Sequence, residues 1–299
     1  MPESPRNSGR VTRISQTLLR KWPLPQPSAD GDKNSRGNVL VVGGEVAIPG
    51  AIVLAGIAAL RAGAGKLQLA TCRSIAPLVG VAVPEALSLG LDETRDGLIA
   101  RNAASALDDL LEENDALLVG TGMKGEDEEQ RFVLNLLERC DTSVILDAGA
   151  IDALGRAPDA LHKFDGNAVI TPHLGEMSRM LSVKPEDISR NPEQRSLDTA
   201  AALNAVVVLK GSRTFIASPR GDLSCYESGD VGLATSGSGD TLAGVVAGLV
   251  ARGTDPLHAA LWAVFLHGSA GNRLAKRMGR IGYLARELLD EIPPIMNRF

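Results

Sequence analysis

Short runs of apolar residues alternate with longer amphipathic or Ala-rich segments along most of this chain. Residues 38–44 (NVLVVGG) form one such run, as do residues 116–120 (ALLVG) and 205–210 (AVVVLK). Runs that are apolar at successive positions, and not only at alternate ones, are typical of parallel strands buried on both faces. The pattern therefore predicts a parallel sheet that helices cover on both sides.

The other segments continue this alternation. Further strands are predicted at residues 66–71, 86–91, 143–148 and 168–171. Helices are predicted at residues 49–64, 98–113, 127–140, 241–252, 256–277 and 284–292, with one more helical segment before residue 205. Residues 213–218 and 223–227 flank the turn sequence PRGD, which predicts an antiparallel hairpin. The fold class is therefore α/β, with a mostly parallel central sheet, helices on both faces and a hairpin in the C-terminal part.

The first 30 residues differ from the rest of the chain. They contain several basic residues but lack the apolar core of a signal peptide. Leu18, Leu19 and Trp22 are expected to pack on the body or on another subunit. We predict that residues 1–30 form a basic, partly flexible arm and that residues 31–299 form a single domain, because no linker or repeat divides them.

Composition narrows the functional classes. The chain has 299 residues, of which 3% are aromatic, and a net charge of −5, which argues against stacking on nucleic acid or binding a polyanion surface. Cys72, Cys140 and Cys225 are far apart and show neither disulfide nor zinc spacing. No run reaches the roughly 18 apolar residues that a membrane span needs. These features predict a cytoplasmic protein that binds neither nucleic acid nor membrane.

The chemically distinctive residues follow the predicted strands. In open parallel sheets, ligands bind at the carboxyl ends of the strands. We therefore expect the loops after the strands to share one rim. They contain Gly43-Gly44, Gly120-Thr121-Gly122, Asp147, Thr171-Pro172-His173 and Lys210-Gly211.

Residues 234–244 (ATSGSGDTLAG) carry the strongest functional signal. A Gly/Ser turn leads directly into a predicted helix, and Asp240 lies at the junction. The N–H groups and the dipole at a helix start favour phosphate or a developing anion. A carboxylate there is well sited to take a proton from a substrate hydroxyl. The alternative is an ordinary loop in which Asp240 stabilises the first helical turn.

A second candidate lies after the strand at residues 205–210. Lys210, Gly211, Ser212, Arg213 and Thr214 combine two cations, a glycine and two hydroxyls, which is a mixed donor set that suits phosphate. The P-loop pattern G-x-x-x-x-G-K-[ST] does not occur. The alternative is a hairpin turn with solvated charges.

Four further residues near these segments are candidates for a structural or a functional role. His173 is expected to form a hydrogen bond to a ligand or the backbone and not to bind a metal. Glu176 either contributes to the site or caps the next helix. Asp147 either holds a phosphate through Mg²⁺ or caps the following helix. His267 lies on an Ala/Leu/Phe helix face and is expected to be a packed core histidine.

Taken in order, these motifs resemble those of the ADP/ATP-dependent NAD(P)H-hydrate dehydratases of the ribokinase-like superfamily. The matching segments are NVLVVGG with PGA and ALRAGAG, then LLVGTGM, LDAGAID, VITPHLGE, VVVLKGSRT and GLATSGSGDTLAGVVAGLVARG. They span roughly residues 38–277. The resemblance implies a three-layer α/β/α sandwich.

The resemblance also implies a repair activity. The S epimer of hydrated NADH or NADPH would be phosphorylated on its hydroxyl by ADP or ATP, with Mg²⁺, and would then eliminate phosphate. Asp240 would be the base, with the turn of Gly237 and Gly239 holding the phosphoryl group. Substrate contacts would come from Ala51, Gly122, His173 and Asp240. Nucleotide contacts would come from Lys210, Gly211, Ser212, Arg213, Thr214 and Gly239. No side chain is assigned as a metal ligand.

Two segments depart from the usual family pattern. Residues 147–152 read DAGAID where relatives usually read DADALN, and Glu45 stands in a turn that usually contains serine. We expect a separate protein to supply epimerisation, because 37 residues before the first strand are too few for an epimerase domain. A homo-oligomer, dimer or tetramer, is also expected. The alternative functions are a kinase of a small alcohol, such as a vitamin precursor or sugar, and a non-catalytic nucleotide sensor.

Overall fold

The computed structural model describes residues 11–26 and 32–299. Within them, ten strands form one sheet. The strands are β1 (Thr12–Arg13), β2 (Asn38–Val42), β3 (Lys66–Cys72), β4 (Leu87–Leu91), β5 (Ala116–Val119), β6 (Ser143–Leu146), β7 (Ala168–Ile170), β8 (Val206–Leu209), β9 (Thr214–Ala217) and β10 (Leu223–Tyr226). Their order across the sheet is β1-β10-β9-β8-β7-β6-β5-β2-β3-β4.

The sheet is parallel from β8 to β4. Strand β9 runs antiparallel to both β8 and β10, and β1 pairs with β10 in parallel. The predicted mostly parallel sheet with one hairpin is therefore confirmed. The hairpin sits at one side of the sheet, so the parallel strands keep a common carboxyl edge.

Burial on both faces explains the continuous apolar runs. In β2, Val39 and Val41 point into one core, and Leu40 and Val42 point into the other; all four are fully buried. Successive side chains of a strand alternate between the two faces. A central strand therefore needs an apolar residue at every position.

Eleven α-helices flank the sheet in the described ranges 11–26 and 32–299. They are α1 (Gln16–Leu19), α2 (Pro49–Arg61), α3 (Ala76–Ala82), α4 (Asp108–Glu113), α5 (Asp127–Arg139), α6 (Leu174–Leu181), α7 (Pro185–Ser189), α8 (Pro192–Leu203), α9 (Ser238–Ala251), α10 (Pro256–Met278) and α11 (Ala285–Met296). One core contains residues of α2, α9, α10 and α11, and the other contains residues of α5, α6 and α8. The result is the three-layer α/β/α sandwich that the resemblance implies.

Helices α2 and α9 pack with their backbones almost in contact. The small residues Gly244 and Gly248 of α9 lie against Ala55 and Ala59 of α2. This packing fixes the position of α9 over the sheet, where it also contacts β5 and β6.

Among the described residues, no helix combines the length and apolar character that crossing a membrane requires.

One predicted helix is only partly present. Instead of a helix over residues 98–113, the chain has a 3₁₀ segment at Ala103–Leu107 followed by α4. The N–H of Leu98 donates to the Thr94 hydroxyl, and the N–H of Ala100 donates to the Asp92 carbonyl. These bonds close a local turn, so the backbone of residues 98–102 is not available for a helix. The pattern also missed α3.

Residues 11–26 pack on the body of the same chain. The N–H of Ile14 donates to the Cys225 carbonyl at 2.9 Å, and Leu19 is fully buried. The Trp262 indole N–H donates to the Trp22 carbonyl at 2.8 Å. The predicted arm also includes residues 1–10 and 27–30, which lie outside the described residues, so its division from the domain at residue 30 stays a prediction.

Candidate active site

The loops after the parallel strands meet at one rim of the sheet, as expected from the sequence. The Gly44 N–H donates to the Thr121 carbonyl at 2.8 Å, which joins the loops after β2 and β5. The Lys210 N–H donates to the Pro172 carbonyl at 2.8 Å, which joins the loops after β8 and β7. The structure therefore places the glycine turns, Asp147 and Lys210 along a common edge.

The start of α9 also lies at this rim. Gly237 precedes the helix with φ of +86°, a left-handed conformation that favours glycine, and no side chain caps the first turn. Leu54 of α2 lies directly beneath Gly237. A helix start that lacks a capping side chain keeps N–H groups available for an anion.

Lys210 lies at the centre of the site. Its Nζ is 2.8 Å from Asp147 Oδ1 and 3.7 Å from Glu176 Oε2. A Cβ atom built on Gly239 would lie 3.3 Å from the same Nζ, so the glycine turn faces the ammonium group. Burial lowers the pKa of Lys210, but the neighbouring carboxylates of Asp147 and Glu176 outweigh it and raise that pKa overall. Lys210 is therefore charged in the folded protein.

The Asp240 carboxyl is half-buried beside this charge cluster. Burial and the negative charge of Asp147 raise the pKa of Asp240 to about 7, although the positive charge of Lys210 opposes the shift. A carboxyl group with a pKa near neutral pH is suited to general-base catalysis. The structure therefore gives Asp240 the environment of a base and not only that of a first-turn residue.

Asp147 does not cap the segment that follows it. It precedes the 3₁₀ segment Ala148–Gly155 but makes no capping hydrogen bond there. Its Oδ1 instead accepts hydrogen bonds from the Thr171 hydroxyl at 2.6 Å and from Lys210. The capping alternative for Asp147 is therefore wrong. Its buried carboxylate is committed to the charge cluster.

His173 and Glu176 form a reciprocal cap at the start of α6. His173 Nδ1 accepts from the N–H groups of Gly175 and Glu176 at 2.9 and 3.2 Å, and Glu176 Oε2 accepts from the His173 N–H at 2.7 Å. The capping interpretation of Glu176 is confirmed. Because Nδ1 accepts these bonds, Nε2 carries a hydrogen, and it lies 3.4 Å from Glu176 Oε1. The His173 side chain is 55% exposed, so the ring reaches the rim with Nε2 facing the Glu176 carboxylate.

Ala51 and Gly122 form a second part of the rim. A Cβ atom on Gly122 would lie 2.9 Å from both the Ala51 Cβ and the Ile48 carbonyl oxygen, and Gly122 has φ of +72°. Glycine is therefore required at this position. Ala51 is 5% exposed, so only a small part of its methyl group reaches the surface.

The turn after Lys210 is more open. Arg213 forms an ion pair with Glu227 at 2.6 Å and lies over the Phe215 ring. The Thr214 hydroxyl donates to the Gly211 carbonyl, and Ser212 is exposed. The structure thus brings Lys210 and Gly239 together, whereas the Arg213 side chain is held by a carboxylate of the hairpin.

Three further residues at the rim were missed by the sequence. His267 of α10 was expected only to pack in the core, but its Nε2 lies 2.9 Å from the Ser238 hydroxyl. Glu45 and Glu129 are buried side by side, and Lys124 pairs with Glu45 at 2.6 Å. Glu45, which stands in the glycine turn after β2, was a sequence signal for the buried pair that it forms with Glu129. No spacing pattern linked His267 to a residue 29 positions earlier.

A metal site made only of side chains is not found in the part of the chain that the structure describes. Within residues 11–26 and 32–299, no group of three or more His, Cys, Asp or Glu residues is arranged to hold a metal ion. Asp147, Glu176 and Asp240 do act on the same ammonium group of Lys210. This carboxylate-rich surrounding suits a cation that arrives with phosphates and keeps some of its waters.

A parallel α/β sandwich whose glycine turn, helix start, lysine and near-neutral aspartate meet at one rim defines a ribokinase-like enzyme that uses a nucleotide. A profile described as NAD(P)H-hydrate dehydratase matches residues 39–294, which is most of the chain. The chain therefore belongs to the NAD(P)H-hydrate dehydratase family.

Two curated relatives agree with this assignment. The ADP-dependent (S)-NAD(P)H-hydrate dehydratase of Xanthomonas campestris is 46% identical over 289 residues, which cover 97% of each chain. The bifunctional NAD(P)H-hydrate repair enzyme of Moorella thermoacetica is 37% identical over 92% of this chain, which corresponds to 52% of that enzyme. The chain therefore spans nearly all of the first relative and about half of the second.

Solved structures give the same family and fold. The ADP/ATP-dependent NAD(P)H-hydrate dehydratase of Bacillus subtilis, co-crystallised with ATP and Mg²⁺, matches with a TM-score of 0.83 and 34% identity over 97% of this chain and 99% of that one. A ribokinase-like superfamily protein of Enterococcus faecalis matches with a TM-score of 0.83 and 26% identity over 96% of both chains. The predicted family, fold class and enzyme class are confirmed.

Proposed function

We propose that this chain dehydrates the S epimer of hydrated NADH and NADPH and uses ADP as the phosphoryl donor. The observation that carries the proposal is the Asp240 carboxyl, which has a pKa of about 7 and lies at the start of α9 beside Lys210. The relative at 46% identity is named as ADP-dependent, which supports ADP over ATP.

In the first step, Asp240 takes the proton of the hydrate hydroxyl. The hydroxyl oxygen then bonds to the terminal phosphorus of the nucleotide, and the bond between that phosphorus and the nucleotide's bridging oxygen breaks, so that ADP leaves AMP. The N–H groups in the turn of Gly237 and Gly239 stabilise the charge on the transferring phosphoryl group. The hydroxyl proton thus passes to Asp240, and the phosphoryl group passes from the nucleotide to the substrate oxygen.

In the second step, the phosphorylated substrate eliminates phosphate. The lone pair of the ring nitrogen displaces the phosphate from the adjacent carbon, and loss of a proton from the next carbon restores the ring double bond. A phosphate leaves far more readily than a hydroxide, which is why the nucleotide is consumed. The products are the reduced dinucleotide, inorganic phosphate and AMP.

Lys210 and the carboxylates around it would serve the nucleotide. The Lys210 ammonium group, already oriented by Asp147, would contact phosphate, with Gly211, Ser212, Arg213, Thr214 and Gly239 as further nucleotide contacts. Mg²⁺ fits beside Asp147 and Glu176, because Mg²⁺ commonly binds through one or two carboxylates together with waters and phosphates. When bound, Mg²⁺ would neutralise phosphate charge.

The dinucleotide would lie along the other half of the rim. Gly122 and Ala51, which are both buried, would lie beneath it. His173 Nε2, which lies 3.4 Å from Glu176 Oε1, would donate a hydrogen bond to it in place of that contact. The site would thus place the substrate hydroxyl between His173 and Asp240. These assignments of Ala51, Gly122, His173 and Asp240 follow the family resemblance and the shared rim.

The remaining parts of the proposal concern the epimerase, the cellular location and the oligomeric state. A separate epimerase would convert the R epimer, since only the S epimer is a substrate here. We place the enzyme in the cytoplasm, which is supported by Cys72, Cys140 and Cys225 all being free and buried. The homo-oligomer, dimer or tetramer, stays a prediction.

The direct test is an assay with hydrated NADH. The purified chain, Mg²⁺ and ADP should consume the S hydrate, restore the absorbance of NADH and release AMP and phosphate in equal amounts. ATP in place of ADP should support a slower reaction.

Two results would contradict the proposal. A chain that leaves the hydrate intact but phosphorylates a small alcohol would be a ribokinase-like kinase. A chain that binds ADP and transfers no phosphoryl group to either compound would be a sensor. The R hydrate serves as the matched control and should remain unchanged without an added epimerase.

A further inference from the structure

No side chain at the N-cap holds the start of α9 in place. A Ser, Thr, Asp or Asn side chain at the N-cap of a helix can bond to the first N–H groups and hold the first turn in place. Here Gly237 has no side chain, and no capping bond is formed. The Ser238 N–H donates to the Thr235 carbonyl at 3.2 Å. The Gly239 N–H has no capping side chain and stays available to a ligand, so a further contact is needed to fix its direction.

The Ser238 side chain provides that contact by bonding to the neighbouring helix α10. It is the first residue of α9, it is 5% exposed, and its Oγ shares a hydrogen bond of 2.9 Å with His267 Nε2. Within the described residues, this is the only hydrogen bond from the side chains of residues 237–240 to another element. Helix α10 is thus tied to the turn that begins α9.

The surroundings of His267 keep its ring neutral. Burial is the main cause that lowers the pKa of His267 to about 4; a hydrogen bond with the Ser238 backbone opposes this shift, and the charge of Lys210 adds to it. A neutral ring can share a hydrogen bond with a hydroxyl group without adding a positive charge next to Asp240. The groups that face this region are Lys210 from the end of β8, Asp240 and Ser238 from α9, and Asp147 from the end of β6.

We propose that His267 is a positioning residue for phosphoryl transfer, which acts by fixing Ser238 and through it the first N–H groups of α9 and the Asp240 carboxyl. The inference rests on the proposed function of this turn. A displacement of about 1 Å at a reacting group can cost about 100-fold in rate. Loss of the bond should therefore reduce kcat much more than it changes the KM for ADP.

The test compares single and double variants with the hydrate assay. His267→Leu keeps a similar volume but cannot form the bond, and we expect kcat to fall about 10- to 100-fold with the KM for ADP changed less than about threefold. Ser238→Ala removes the same bond from the other side and should have a similar effect. The double variant should be no slower than the slower single variant, since one interaction is lost in all three.

Two further variants separate positioning from general stability. In His267→Gln, the terminal amide occupies the place of Nε2, so kcat should recover at least partly. In His258→Leu, a ring in the first turn of α10 is lost, where His258 stacks on Trp22 with 4.5 Å between ring centres. This control should lower the melting temperature and leave kcat unchanged.

The assays distinguish failure of the proposed function from failure of the role of His267. If wild-type protein does not turn over the hydrate, both the proposed function and the role of His267 are wrong. If wild type is active and His267→Leu keeps its kcat, only the role of His267 is wrong. Effects of the two single changes that multiply in the double variant, or a His267→Gln variant as slow as His267→Leu, would also overturn the positioning role.

Discussion

Asp240 lies in a group of charges whose members act on one another. Lys210 forms its shortest ion pair with Asp147, and the charge of Asp147 is in turn a main cause, after burial, of the raised pKa of Asp240. The aspartate is therefore kept partly protonated at neutral pH, and the lysine limits how far the shift goes. At the residue scale, the surroundings of the carboxyl group, and not its presence alone, give it the properties of a base.

The first prediction concerns the pH dependence of turnover. The base must be ionised, so protonation below its pKa removes activity, and kcat/KM for the hydrate should rise as the pH passes through about 7 and then level off. Asp240→Asn should lower kcat by about 10²–10⁴ and abolish this rise. The measurement is kcat/KM between about pH 5.5 and 8.5 at saturating ADP.

Lys210→Met is the matched change for this profile. Without the ammonium group the pKa of Asp240 should increase, so the rise in kcat/KM should move to higher pH, and ADP binding should weaken. ADP binding should survive in Asp240→Asn, which calorimetry can check. A wild-type profile that is flat across the neutral range, or an Asp240→Asn variant with normal turnover, would remove Asp240 from the role of base.

At the scale of elements, a buried acidic pair connects the loop after β2 to the start of α5. Glu129 Oε2 accepts from the N–H groups of Lys124, Gly125 and Glu126, and Glu45 Oε1 accepts from the N–H of Lys124. Glu129 Oε1 is buried without a donor, yet it belongs to a carboxyl group beside that of Glu45. A proton shared by the two groups would satisfy this oxygen.

The second prediction follows from that shared proton. Burial and the charge of Glu45 raise the pKa of Glu129 from 4.5 to about 7. The unfolded chain ionises first as the pH rises, so this group's contribution to the free energy of unfolding is complete below pH 4.5 and is lost between about 4.5 and 7. Glu129→Gln should flatten this dependence, because an amide N–H replaces the shared proton at every pH.

The measurement is the melting temperature between about pH 5 and 8. At the upper end of this range the Glu129→Gln variant should melt a few degrees above wild type, on the scale of about 1 kcal/mol. Glu138→Gln on the same helix is the control, since Glu138 is exposed, and it should follow the wild-type curve. If Glu129→Gln changed the melting temperature equally at both ends of the range, the pair would not share a proton.

At the scale of the whole molecule, the sequence predicted the features that recur along the chain, which are the buried strands and the loops that follow them. Buried parallel strands need apolar residues at every position, so β2, β5 and β8 were visible as runs, and their order placed the glycine turns and Lys210 on one edge. The helix expected over residues 98–113 failed because the N–H groups of Leu98 and Ala100 bond to the Thr94 hydroxyl and the Asp92 carbonyl in a local turn. Periodicity carries no information about such a turn.

The sequence placed residues at the rim where they follow strands or precede helices. Asp240, Lys210 and His173 were placed there in this way, and their roles stay predictions. The contacts of His267 and Glu129 were not predicted, because their partners, Ser238 and Glu45, lie on other elements and no local pattern marks these contacts. Side chains that act by bonding to a partner far along the chain are the part of a site that requires a structure.

The N-terminal segment is the whole-molecule feature with the most direct test. Residues 11–26 add β1 to the sheet, and Leu19 is fully buried in the core that also contains residues of α2, α9 and α10. Leu19→Ala should lower the free energy of unfolding by about 2–5 kcal/mol in urea titrations, because it leaves a cavity in a packed interior.

Thr17→Ala in the same short helix is the control. Thr17 is exposed, and its replacement should change the free energy of unfolding by about 0.5 kcal/mol or less. Equal, small effects of the two changes would show that this segment does not dock on the body in solution, and a large difference between them would make it an integral part of the domain.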